Sequence, residues 1–179
     1  VIGLLLNIFI GIALGANVVI ANAIGRGDKE TVSRAVHTSI VAAVLGGIIV
    51  GLLGQLLAEP VLSMLQVPED VFPLALKYMR IYLLGLPVIF LYNFEAAIFR
   101  SAGDTKTPLV ALALSGVLNV ILNLFFVVVL NKTVDGVAIA TVLANVVSSV
   151  VLLRRLLRSE LFIHVEFKNL RIDWKILWR

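Results

Sequence analysis

The stretch 94–108, FEAAIFRSAGDTKTP, constrains this chain more than any other. It closes one long apolar run, turns through Ser101, Gly103, Asp104 and Thr105, and opens the next run at Pro108. A short, charged, glycine-containing turn between two long apolar runs is the pattern of a helical hairpin at the water boundary of a membrane. Pro108 suits the first turn of the second helix, where its missing N–H would have no partner in any case.

Composition extends that reading to the whole chain. Of 179 residues, 60% are hydrophobic and 15% are charged, whereas soluble domains run to about half apolar and about a quarter charged. Five apolar runs of this kind exceed what a soluble core could bury, and lipid tolerates only elements whose backbone bonds close on themselves. The runs are rich in Leu, Ala and Gly and lack the period-two alternation of barrel strands. The expected fold class is therefore an all-α polytopic bundle of about five membrane spans. Cysteine is absent, which excludes disulfides and thiolate metal sites. The net charge of +4 comes from loop lysines and arginines. Such charges report topology and carry no nucleic-acid signal.

The spans are expected at 1–24, 35–58, 74–99, 109–130 and 134–153. Gly3, Asn7, Gly11 and Gly15 recur every four residues in the first span, as do Ala43, Gly47 and Gly51 in the second. Both stripes read as close-packing faces. His37 is expected at the interface, with Lys77 and Arg80 snorkelling to the opposite one. Pro87, next to Gly85, should kink the third span. Ser115, Asn119 and Asn123 are spaced by four on one face of the fourth span, and Thr141, Asn145 and Ser148 share a face of the fifth. Glu95 is the acid that lies well inside an apolar run. It is a functional candidate by its position alone, and it is also close enough in sequence to pair with Arg100 or Lys106.

Basic residues set the orientation. Arg26, Lys29, Arg34, Arg100, Lys106, Arg154, Arg155 and Arg158 fall in loops expected on one side, and Lys77, Arg80 and Lys132 on the other. The more basic side is expected to be cytoplasmic, so residue 1 starts outside. The chain opens at Val1 inside an apolar run and closes at Arg179 on an amphipathic stretch, so a fragment of a longer protein is expected. Residues 1–158 read as the membrane bundle and 159–179 as an amphipathic linker lying in the interface.

The runs GRGDKETVSRAVHTS, VPEDVFPLALKYMRIYLLGLP, FRSAGDTKTP, SGVLNVILNLFFV and VDGVAIATVLANV resemble the multidrug and toxic compound extrusion (MATE) transporters. The likeness is to bacterial branches related to DNA-damage-inducible protein F. The resemblance implies two six-helix lobes rocking about a central cavity, and export of organic cations or other amphipathic drugs or metabolites against protons or sodium. It implies a multi-pass protein of the plasma or inner membrane. Its partners would be a small-molecule substrate, the lipid bilayer and a second lobe absent from this chain, with no nucleic acid. No cofactor is expected beyond the coupling ion, and no catalytic residue or metal site. The chain would supply helices two to six of the first lobe and the start of the linker between lobes.

Carried over residue by residue, the resemblance places Asn119 and Asn123 where the family has an Asn and, four residues on, often an Asp. Asn123 departs from that pattern, because an amide cannot take up a proton. Thr141 matches a threonine facing the same cavity. Asn93 and Glu95 on the third span complete the candidate set. Three other readings stand beside export. A lipid-linked saccharide flippase would want basic residues deep in the spans. An intramembrane lipid-modifying enzyme would want clustered acids or a His–Asp pair. A membrane scaffold would not need the polar stripes of the fourth and fifth spans.

Overall fold

The computed structural model describes residues 2–159 and 163–177; within these, the side chains of 2–6, 8–10, 12 and 177 are left aside. Of the expectations above, the packing of Gly3 and the parts of the 159–179 linker at 160–162 and 178–179 fall outside what is described. Six long helices follow in order: α1 Ile2–Gly25, α2 Lys29–Met64, α3 Phe72–Leu84, α4 Leu86–Ser101, α5 Lys106–Leu124 and α6 Val134–Leu157. A π-helical turn, Phe125–Val129, extends α5. A 3₁₀ turn, Phe167–Asn169, and a short α7, Trp174–Leu177, lie in the tail. There is no strand among the described residues. The protein is an all-α membrane bundle, as its composition indicates.

α2, α5 with its π-helical extension, and α6 are each long and apolar enough to cross a bilayer. α3 and α4 meet at 49°, and only taken together are they long and apolar enough to cross. The break falls at Gly85, with Pro87 just inside α4, as expected of a proline that cannot donate to the preceding turn. α2 is longer than hydropathy alone implies, at 36 residues. Its first turns carry Lys29, Glu30 and Arg34, charged residues that are good helix formers and so are invisible to an apolar-run criterion. At the other end it runs through Pro60 to Met64, which shortens the expected 59–73 loop.

The two turns at one end of the bundle share one design. Gly27-Asp28-Lys29-Glu30-Thr31 and Gly103-Asp104-Thr105-Lys106-Thr107 are both G-D-x-x-T. Gly27 and Gly103 have φ of 67° and 82°, the left-handed region that closes a helix. After α1, the N–H of Gly27 reaches the Ile24 carbonyl and that of Asp28 the Ala23 carbonyl, both at 3.0 Å. After α4, Gly103 reaches the Arg100 carbonyl and Asp104 the Phe99 carbonyl, again both at 3.0 Å. Each aspartate then starts the next helix. Asp28 Oδ1 accepts from the Thr31 N–H at 3.0 Å and Asp104 Oδ1 from the Thr107 N–H at 2.9 Å. The side-chain and backbone hydrogen bonds from these threonines hold both carboxyls below the usual aspartate range.

Packing is closest where α2 crosses the α3–α4 break. A Cβ at Gly47 would collide with the backbone of Pro87, and one at Gly51 would lie 3.0 Å from the Leu83 carbonyl oxygen. The second small-residue stripe is thus a packing face. The first is not one within the described residues: Asn7, Gly11 and Gly15 are exposed, and a Cβ at Gly11 or Gly15 would meet nothing within 4 Å. α5 leans mainly on α6, and its outer side turns Leu109, Val110, Val117 and Val120 outward, a surface suited to lipid.

The tail folds back on the bundle. Ile163 and Val165 are buried in one cluster with Leu152, Leu156, Val32 and Val36. His37 is buried rather than interfacial. Its Nδ1 lies 2.6 Å from the Ser33 carbonyl oxygen, and its Nε2 accepts the Glu166 N–H at 3.0 Å. Because Nε2 is the acceptor, Nδ1 is the nitrogen that donates to Ser33. Thr38 Oγ1 donates to the Arg171 carbonyl and accepts the Asp173 N–H, at 3.2 and 3.0 Å. Trp174, by contrast, stays exposed.

Candidate functional site

The polar stripe of α5 faces α6. Along α5, Ala111 and Ser115 are buried and Asn119 and Asn123 half-buried, while positions between them are largely exposed. The spacing of four makes this a single inward line. Three of the five candidate residues join into one hydrogen-bonded chain on it. Asn123 Nδ2 donates to Asn119 Oδ1 at 2.6 Å, and Asn119 Nδ2 donates across to Thr141 Oγ1 on α6 at 3.3 Å. Thr141 in turn donates to the Val137 carbonyl one turn back at 3.0 Å. All three bonds run in one direction, which leaves an acceptor over at the start. Asn123 Oδ1 is buried and has no hydrogen-bond partner.

The π-helical turn begins two residues after Asn123, and such widened turns are frequent at functional sites because they release backbone groups from the regular ladder. The chemistry this arrangement offers is that of a neutral, oxygen-donating site. An amide oxygen can coordinate a hard cation or orient a water, but none of Asn119, Asn123 and Thr141 titrates near neutral pH.

The other two candidates are placed apart from this chain. Asn93 donates to the Ile89 carbonyl of its own helix at 2.8 Å and is half-buried. Glu95 is fully buried. It pairs with neither Arg100 nor Lys106, because α4 turns its carboxyl inward toward α6 while Arg100 is exposed at the helix end. Its Oε2 accepts from Ser149 Oγ at 3.0 Å, and its Oε1 has no partner. Ser149 lies eight residues beyond Thr141, roughly 12 Å along the same helix. Glu95 and the asparagine relay thus abut α6 at different depths.

Sequence reasoning missed several contacts. Ser149 carries no distinguishing signal, being one of two adjacent serines of which Ser148 alone fits the polar stripe. Ser148 itself donates to the Ala111 carbonyl at 3.1 Å and ties α6 to α5. Lys77, expected to snorkel, reaches across to Asp135 Oδ2 at 3.1 Å and joins α3 to the start of α6. A basic residue on one span and an acidic one on the first turn of another, both at the same bundle end, is the signal that could have found it. Asn145 donates to the Thr141 carbonyl at 2.8 Å and serves its own helix.

Comparison with known proteins agrees with this architecture. The MatE family model matches residues 1–125. Among curated relatives, a probable multidrug resistance protein of Bacillus subtilis, YoeA, is 30% identical over 84% of this chain and 33% of its own length. A probable multidrug resistance protein NorM of Thermotoga maritima is 28% identical over 87% of this chain and 34% of its own. The chain therefore spans about a third of the length of these relatives. Among solved structures, the inward-facing conformation of a multidrug resistance MATE family transporter of the MOP superfamily superposes with a TM-score of 0.90. It shares 24% identity, covering 97% of this chain and 40% of that one. A match over most of the chain, on a multi-pass helical fold, leaves one conclusion: the chain belongs to the MatE family.

Proposed function

We propose that the protein containing this chain is an ion-coupled antiporter that exports organic cations or other amphipathic drugs or metabolites. In this reading the chain forms most of one lobe, its tail leads toward a second, and the more basic end of the bundle faces the cytoplasm. The observation that carries the reading is the relay from Asn123 through Asn119 to Thr141, with Asn123 Oδ1 buried and unpartnered. A packing role alone does not call for such an acceptor, since a buried amide that only joins helices usually has its oxygen paired. The names of the relatives, probable multidrug resistance proteins, support the substrate class.

The relay assigns roles. Thr141, fixed by Val137, holds Asn119, and Asn119 Oδ1 takes up the Asn123 amide hydrogen so that Asn123 Oδ1 points free. The coupling ion, as substrate, would use that oxygen as a ligand. Proton coupling would need an acid elsewhere, either in a part of the protein outside this chain or at Glu95.

Transport by the full-length protein in vesicles tests this. Asn123→Ala is expected to weaken ion-driven export about tenfold or more, in line with loss of a first ligand or its support. Asn123→Asp is expected to retain export and make it more dependent on pH. Wild-type export by Asn123→Ala under both proton and sodium gradients would reduce the relay to helix packing.

A further inference from the structure

Where α4 passes to α5 and α6 ends, three arginines converge on one hollow. Arg154, Arg155 and Arg158, all exposed, line an open hollow of about 530 Å³ with Phe99 and Val151 in its wall. Positions 154 and 158 are four apart and 155 and 158 three apart, so all three belong to one side of the last turns of α6. None of them closes an ion pair among the described residues, although Arg155 exerts a weaker attraction on Asp104. The cavity holds one carboxylate, Asp104, which is already committed: it accepts the Thr107 N–H at 2.9 Å and caps α5. Three guanidinium groups and one carboxylate leave a net charge of +2 around a single hollow.

Two general effects account for part of this. Cations suit a helix C-terminus, and basic residues collect on the cytoplasmic side of membrane proteins. Neither asks for three arginines around the same cavity, where like charges repel one another. An anion between them reverses the sign of that interaction, and the planar guanidinium fork matches phosphate oxygens two at a time. The position adds the second half of the ligand. The cavity lies at the polar end of α5 and α6, its wall is partly apolar, and α5 turns Leu109 and Val110 outward from its second turn. Basic side chains around a partly apolar wall, at the polar end of membrane helices, are the profile of a headgroup site at the bilayer edge.

We propose that this cavity binds a phosphate-bearing anion, presented as the headgroup of an anionic membrane phospholipid. The assignment depends only on the membrane fold and is independent of what the protein exports.

The test is native mass spectrometry of the full-length protein in detergent with equal phosphatidylglycerol and phosphatidylcholine. Wild type is expected to retain phosphatidylglycerol in preference. Replacing Arg154, Arg155 and Arg158 together with Gln is expected to lower that preference about tenfold or more, since each basic residue near an anionic surface contributes separately. The control removes three cations elsewhere at the same end, with Arg26→Gln, Lys168→Gln and Lys175→Gln, and is expected to keep most of it. If the triple arginine variant does not purify folded, Arg158→Gln alone should show a fall of about threefold. An unchanged preference, or an equal fall in the control, would overturn the site. Displacement of the lipid by millimolar inorganic phosphate would overturn the lipid as its source.

Discussion

Glu95 and Ser149 show what a single buried pair demands of this bundle. The acid has one hydrogen bond, from Ser149 Oγ, and a second oxygen with none. Ser149→Ala removes the donor and leaves the whole carboxyl unpartnered, which is expected to cost about 1–3 kcal/mol. Glu95→Gln keeps an acceptor opposite Ser149 and should cost less. Thermal unfolding of the purified full-length protein, comparing the two variants, checks the order; equal stability of Ser149→Ala and wild type would show that the contact contributes nothing. The pair also marks the limit of what spacing alone reveals. Asn119 and Asn123 are legible because i, i+4 spacing fixes a shared face within one helix, and Thr141 because a family likeness places it opposite them. Glu95 is legible as a buried acid, but its partner is 54 residues away on another helix, and no periodicity within one element encodes that. His37 escapes the sequence for the same reason, since its second partner is the Glu166 backbone in the tail.

Elements are legible at their apolar centres and less so at their ends. α2 begins six residues before its expected apolar span because Asp28 caps a charged first turn, and charge is neutral to helix formation where water is available. The Gly85 break is legible because proline and glycine act through the backbone and need no knowledge of neighbours. The cap at α5 gives an element-scale prediction. Asp104 titrates below the usual aspartate range because Thr107 hydrogen-bonds its ionised form, with Arg155 adding a smaller attraction. Its contribution is therefore complete above the unfolded value of about 3.9 and is lost as pH falls through the lower folded value. Asp104→Ala is expected to cost about 1 kcal/mol at neutral pH. Asp104→Asn should retain most of the cap and flatten its dependence on acid. Unfolding midpoints of the three proteins at neutral pH and at about pH 3 measure both; a steeper acid loss in Asp104→Asn than in wild type would contradict the assignment.

At the scale of the molecule, the helices alternate so that the turns at 26–28 and 102–105 and the end of α6 share one face, opposite the loops at 65–71 and 130–133. The Lys77–Asp135 pair at one end and the tail contacts to His37 and Thr38 at the other hold that arrangement. On the proposed orientation, a cysteine introduced at Asp70 should react with an impermeant maleimide added to intact cells, and one at Arg26 should not. Strong labelling at Arg26 would reverse the orientation. The two G-D-x-x-T turns have a further consequence for how such a protein is made. Every bond that closes them, from the reversal at the glycine to the aspartate cap, joins residues within five positions of each other. Neither turn waits for a distant part of the fold, so each helical pair can set its reversal as it leaves the ribosome. The reversals are thus set by neighbours in sequence, and the search for side-to-side partners is what depends on the rest of the chain.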